Sequence, residues 1–168
     1  MLDISQLQKE GGIPEEKKMH FDLEECAGQV LITFEKKIND KHLNVNVDMP
    51  EHPVYTMANP DYITQVIYNL IDNAVKFCPT GAIWGCASKR RQQGLRLRLQ
   101  RRRDHPAGRA AVGIRPVPQV GQIPLPEPGR LGIGLYIVKT IVCSHGEDIS
   151  VSSKDGKTEF TFTMPLVN

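Results

Sequence analysis

Asn69, Asn73 and Lys76 are the residues whose types and spacing suggest chemistry. They lie in the run Gln65-Val-Ile-Tyr-Asn-Leu-Ile-Asp-Asn-Ala-Val-Lys-Phe. In a helix, steps of four and three residues place all three on one face. An amide oxygen is a hard ligand suited to Mg²⁺, which prefers oxygen donors and keeps part of its water shell. A lysine one turn away neutralises phosphate as a point charge. The same spacing also fits the polar outer face of an amphipathic helix, so the pattern alone leaves both readings open. A second constellation, Gly129-Arg-Leu-Gly-Ile-Gly-Leu-Tyr-Ile-Val-Lys, sets Gly132 and Gly134 where a loop enters a helix. Glycines there leave backbone N–H groups bare to an anion at the positive end of the helix. A lone Gly-x-Gly also serves as a tight turn. Paired with the Asn/Asn/Lys face, it points to a phosphate-bearing ligand.

The elements that must position these residues follow from hydrophobic period. Residues 1–13 read as the tail of a helix stopped by Gly11-Gly12 and Pro14. From Phe21 to about Asp40, Leu23, Ala27, Val30, Leu31, Phe34 and Ile38 recur at helical spacing. Leu43 to Asp48 alternates as a strand, and Val54 to Met57 is a second. Asn59-Pro60-Asp61 starts a helix that runs to Phe77, with Ile63, Val66, Ile67, Leu70, Ile71 and Ala74 as its buried stripe. Thr80-Gly81 turns the chain into a strand at Ala82 to Trp84. A helix from Ile133 to Ser144 ends at His145-Gly146, which makes His145 a helix-terminal residue rather than a ligand. Strands Ile149 to Ser153 and Glu159 to Met164 close the chain around Lys154-Asp155-Gly156-Lys157. The order predicts an α+β fold, a two-layer sandwich.

The chain has 168 residues, 40% hydrophobic and 24% charged, enough for one domain with a sizeable core. No run of eighteen apolar residues is present, and Met-Leu-Asp-Ile-Ser lacks the pattern of a signal peptide. Cys26, Cys78, Cys86 and Cys143 form no Cys-x-x-Cys pair, so reduced thiols in a cytosolic chain are expected and a zinc site is not. The balanced net charge conceals a break in composition. All ten arginines lie between Arg90 and Arg130, with only Asp104 and Glu127 as acids among them, and six of the twelve prolines lie there too. The eleven lysines lie elsewhere, with seventeen acids, and all ten aromatic residues avoid the stretch from Gly85 to Leu135.

The segment Gln65–Phe77 resembles the N box of sensor histidine kinases. Leu131-Gly-Ile-Gly-Leu-Tyr-Ile-Val-Lys resembles their second glycine box. Ser144 to Pro165 is similar to the closing hairpin of their ATPase domain, and Leu2-Asp-Ile-Ser-Gln-Leu to the segment leaving the dimerisation helices. The resemblance implies the GHKL (Bergerat) sandwich, a mixed sheet covered by helices on one face. It implies residues 1–13 as a dimerisation tail or linker and 14–168 as the ATP-binding domain. Carried over, Asn69 would bind Mg²⁺ and Asn73 would approach metal and phosphates. Lys76 would contact phosphate, and Phe77 would lie on the adenine side or simply pack in the core. Gly132, Gly134 and Leu135 would close the pocket over the triphosphate of ATP. The implied activity is transfer of the γ-phosphoryl group to a histidine on a dimerisation domain, then to a response regulator. The implied parent is a cytoplasmic homodimer, with or without a membrane anchor outside this chain. His20 and His42 lack the acid-and-arginine context of a phosphoacceptor, so no catalytic side chain is assigned here.

Two elements of that family pattern are missing between Phe77 and Gly132: an Asp-x-Gly motif whose aspartate reads adenine, and an aromatic segment before the ATP lid. The arginine window stands in their place. As a basic loop or a nucleic-acid arm it would leave its sharp edges unexplained. A third reading is translation out of frame. Read one base later, Ile114-Arg-Pro-Val-Pro-Gln allows Tyr-Asp-Arg-Phe-His-Lys, and Leu99 to Pro106 allows Ser-Asn-Asp-Gly-Glu-Thr-Ile-Pro. Both missing motifs return in order, chosen among the several amino acids that free third bases permit. Shifted GC-rich codons also yield Arg, Pro, Gly, Ala and Leu. Two compensating single-base changes bracketing residues 85–130 are therefore expected, with poor packing of that stretch and weak or no ATP binding by the chain as written. A degenerate, non-catalytic module of the same fold is the alternative, and a nucleic-acid binder with steep salt dependence is a weaker one.

Overall fold

A computed structural model describes residues 4–91, 94–102, 132–154 and 157–167. In chain order the elements are α1 (Ile4–Glu10), a 3₁₀ turn (Glu15–Lys17), β1 (Met19–Asp22), α2 (Leu23–Thr33), α3 (Glu35–Asp40), β2 (Asn44–Asp48) and β3 (Tyr55–Ala58). They continue with α4 (Pro60–Phe77), β4 (Ile83–Arg91), β5 (Gly94–Arg102), α5 (Gly132–Ser144), β6 (Ile149–Lys154) and β7 (Lys157–Met164). Five strands make a mixed sheet in the order β2-β4-β5-β7-β6, with β2 and β4 parallel and the other pairs antiparallel. β1 and β3 form a separate antiparallel ribbon. Trp84, Cys86, Phe162 and Met164 of the sheet are buried with Ile63, Ile67, Leu70 and Ile71 of α4 and Val138, Ile141 and Val142 of α5. Burial, with the Glu24 carboxylate second, pushes the Cys86 thiol up to about 12, so it stays protonated and packs as a small apolar group.

Two readings of the sequence need correction. The helix expected from Phe21 to Asp40 is instead a strand and two helices. Met19–Asp22 pairs with β3, and the Asp22 side chain then caps α2 by accepting from Glu24 N–H at 2.9 Å. The helix breaks at Phe34, which is drawn into the core with its ring tilted against Tyr68 at 4.9 Å, while Thr33 Oγ1 donates to the Val30 carbonyl. The second correction concerns the arginine window. Its first part is regular at the level of the backbone: β4 continues to Arg91, and β5 returns to lie between β4 and β7. The register sets Leu95, Leu97 and Leu99 opposite Met164, Phe162 and Phe160. This Leu-x-Leu-x-Leu period of two was legible in the sequence beneath the unusual composition. The strand expected at Ala82 to Trp84 is thus longer and has a neighbour, while the packing of side chains from Lys89 to Arg102, and residues 103–130 altogether, lie outside the described residues.

Side chains at both ends of α4 hold it in place. At its start, Asn59 Oδ1 accepts from Asp61 and Tyr62 N–H at 3.1 and 3.3 Å, and Pro60 fills a position that needs no donor. At its end, Lys41 Nζ donates to the carbonyls of Val75, Lys76 and Cys78 at 2.8, 3.0 and 3.1 Å. These are the unpaired carbonyls at the negative end of the helix, so a cation there is doubly favoured. α4 is also tied to α5. His145 Nδ1 donates to the Ile141 carbonyl at 2.8 Å, which leaves Nε2 to accept the Asn59 backbone N–H at 3.1 Å. The α5 end further accepts Ile13 N–H on the Ser144 carbonyl at 3.2 Å, and Gln8 of α1 reaches the Tyr136 hydroxyl.

Lys41→Met keeps the aliphatic stem and removes the cap, and should cost about 1–2 kcal/mol in urea unfolding. His145 gives a pH signature. Burial foremost, with the Lys18 charge adding to it, lowers its pKa below 6.5, although the bond to Ile141 opposes this. The unfolded chain therefore takes the proton first as pH falls. The stabilisation is complete above about pH 6.5 and declines below it, down to the folded pKa. The urea midpoint should drop from about pH 7 to about pH 5.5, and His145→Gln should flatten that part of the curve.

Candidate functional site

α4 brings Asn69 and Asn73 one turn apart on the same face, and both are partly buried. Each has a buried amide Nδ2 with no hydrogen-bond partner among the described residues. Orphaned buried donors are rare, because each forfeits its bonds to water, so two of them side by side call for an outside partner. A fully solvated outer face would leave those nitrogens wet, whereas here both lie out of contact with solvent. Asn69 Oδ1 accepts from Gln65 Nε2 at 3.0 Å, one turn earlier on the same face. Gln65 was not singled out from the sequence, although an i, i+4 Gln–Asn pair on a helix was the available signal.

α5 meets this face at its first turn. A methyl group added at Gly134 would lie 3.8 Å from Asn73 Nδ2, so the two glycine-box and amide motifs are in contact. Gly132 begins α5, whose first backbone N–H groups have no partner within the helix. The side chain of Leu135 packs against the core. The arrangement offers two amide donors beside the positive end of a helix, a setting for the oxygens of an anion. It also fits a hard metal: an amide turned through 180° presents its oxygen where its nitrogen now sits.

Lys76 and Phe77 lie at the end of α4. Lys76 is exposed, with Nζ 5.6 Å from the Phe77 ring centroid, and it lines a cleft of about 470 Å³ with Lys37, Asp40, Lys41, Asp72 and Val75. Neither Asn69 nor Asn73 is among the residues lining that cleft. Phe77 is half-buried, with one face open to the Lys76 charge.

The sequence model of the histidine kinase-, DNA gyrase B- and HSP90-like ATPases matches residues 58–168, which hold both motifs and the hairpin. The chain belongs to this ATPase family. It is 29% identical to the sensor histidine kinase WalK of Bacillus subtilis (strain 168) over 133 residues, 75% of this chain and 21% of WalK. The catalytic domain of the histidine kinase ThkA matches 88% of the chain, and 96% of that domain is covered, with a TM-score of 0.72 at 22% identity. ThkA in complex with the response regulator protein TrrA gives the same TM-score, with 42% of that chain covered. These likenesses carry the fold: the α+β two-layer sandwich of GHKL type is the one found. The chain spans about a fifth of the length of WalK. Among the described residues, no helix is long and apolar enough to cross a membrane.

Gly134→Ala separates stability from function in this ATPase fold. The added methyl meets only an ordinary contact, so the helix should gain up to about 1 kcal/mol in unfolding experiments. It also narrows the space beside Asn73, and titration with an ATP analogue should show weaker binding than in the parent chain.

Proposed function

We propose that this chain is the ATP-binding catalytic part of a sensor histidine kinase, which presents the γ-phosphoryl group of ATP to a histidine on a separate dimerisation domain. The observation that carries this reading is the pair of orphaned amides, Asn69 and Asn73, facing the glycine start of α5. Asn69 would hold Mg²⁺ through its amide oxygen, and Asn73 would serve metal and phosphate together. Gly132, Gly134 and Leu135 would close over the triphosphate, Lys76 would swing to a phosphate, and Phe77 would border the adenine. Bound Mg²⁺ would supply charge neutralisation on the phosphate oxygens. The chain's own groups are amides, an ammonium and backbone N–H, which orient and neutralise without abstracting a proton. Transfer of that kind depends on positioning, so a separate histidine-bearing helix is a sufficient acceptor.

A response regulator is the proposed next acceptor, supported by ThkA having been solved with TrrA. We place the parent protein in the cytoplasm as a homodimer, with residues 1–13 continuing from its dimerisation helix and 14–168 forming the ATP-binding domain. Nucleic acid is not proposed as a partner. Within 85–130 we propose that the reading frame is displaced by two compensating single-base changes, supported by the arginines beginning and ending within a few residues of the edges of the aromatic-free stretch. A degenerate, non-catalytic module is the second reading, favoured by the lack of an Asp-x-Gly motif between Phe77 and Gly132 in the written sequence.

Sequencing the source DNA across codons 84–132 tests the frame directly, and two single-base corrections are the expected result. Calorimetry with Mg·ATP tests the site. The chain as written should bind more weakly than the frame-corrected chain by about 1–3 kcal/mol, the typical cost of one lost buried hydrogen-bond acceptor. Asn69→Ala and Asn73→Ala should abolish binding in the corrected chain. Equal affinity in the corrected chain and both of its variants would sink the assignment of the two amides, and no Mg·ATP binding by the corrected chain would leave the non-catalytic module.

A further inference from the structure

We propose that Gln65 is a positioning residue, and that Gln65 and Asn69 form a coupled pair of amides whose joint rotation decides whether the site offers a donor or a metal ligand. The inference rests on the reading of Asn69 as the Mg²⁺ ligand. In the structure, Gln65 Nε2 donates to Asn69 Oδ1 at 3.0 Å, so the Asn69 oxygen is turned toward Gln65 and its Nδ2 is the atom left buried without a partner among the described residues. This orientation suits a phosphate oxygen and not a cation. An amide has a donor end and an acceptor end of nearly equal size. Turning both side chains through 180° makes Asn69 Nδ2 donate to Gln65 Oε1 and frees Asn69 Oδ1 for a ligand. The mutual hydrogen bond is kept, and the two states differ only in what they present to a ligand. A divalent cation binds only the second state and draws the pair into it, in proportion to its preference for that state.

Glutamine alone among helix-favouring side chains can act as donor or acceptor at this position. A carboxylate at 65 accepts only, and holds Asn69 with its oxygen turned away from residue 65 and free for a ligand. An ammonium donates only, and holds the oxygen away from it. Groups that orient a metal ligand typically alter affinity on the order of 10- to 100-fold.

The test is affinity for preformed equimolar Mn·ATP, read by electron paramagnetic resonance on the frame-corrected chain, which serves as the parent. Gln65→Glu should bind Mn²⁺ about tenfold more tightly than the parent chain, and Gln65→Lys about tenfold more weakly. The charge at 65 also acts directly on the cation, so both substitutions are repeated on Asn69→Asp, whose two oxygens are equivalent and need no turning. There the direct charge effect alone remains, and the response to Gln65→Glu and Gln65→Lys should shrink to within about threefold. Equal responses in the two backgrounds would overturn the coupled pair while leaving Asn69 as a ligand. Mn²⁺ affinity unchanged by Asn69→Ala would overturn the assignment of Asn69 itself, and no Mn²⁺ uptake by the parent chain would overturn both.

Discussion

The contact between α4 and α5 is the constraint on which the rest depends. The two helices run antiparallel: the end of α5 reaches the start of α4 through His145 and Asn59, and the start of α5 meets the later half of α4 through Gly134 and Asn73. Between these points, Ile63, Ile67, Leu70 and Ile71 of α4 and Val138, Ile141 and Val142 of α5 are buried in the same core. Apolar burial drives the pair together, and polar groups at the two ends set the register. A slip of one turn of α5, about 5.4 Å, would carry Gly134 away from the amides and replace it by a larger side chain.

The polar groups of α4 are treated differently at different places. At its ends they are satisfied by Asn59, Lys41 and the 3₁₀ turn, where Asn59 Nδ2 donates to the Lys17 carbonyl. In its middle, two amide nitrogens are left without partners. Trp84 Nε1 and Ser88 Oγ in the sheet are likewise buried without a partner among the described residues, but only the two amides adjoin each other on one helix face beside the start of α5. The local cost at Asn69 and Asn73 is what a binding site requires, since a ligand recovers it and an apolar core would not.

Much of this was legible in the chain, for identifiable reasons. Asn59-Pro60 marks a helix start through cap chemistry that depends on neighbours only, and the α4 stripe is periodic over eighteen residues. β1 escaped notice because Met19–Asp22 is short and is held as a strand by β3, a partner more than thirty residues away. The break at Phe34 escaped because its cause is tertiary, an aromatic ring seated against Tyr68. β5 was obscured differently: its leucine alternation is local, but the arginines between the leucines drew attention to charge instead of period. The change in composition and the continuation of the sheet are both properties of this chain, and they coincide at Gly94–Arg102.

By itself the sequence determined which residue types lie on which helix face, where α4 and α5 start, and that residues 85–130 differ in composition from their surroundings. Period, capping and codon-like bias are local properties, and no fold is needed to express them. Only the tertiary structure decided that the amide nitrogens of Asn69 and Asn73 are enclosed rather than wet, that Gly134 abuts Asn73, that Gln65 takes the oxygen of Asn69, and that Lys76 lines a cleft with Lys37, Lys41 and Asp72. Those outcomes depend on burial and on distances between elements far apart in the chain, which are set when the apolar faces of α4, α5 and the sheet close on one another.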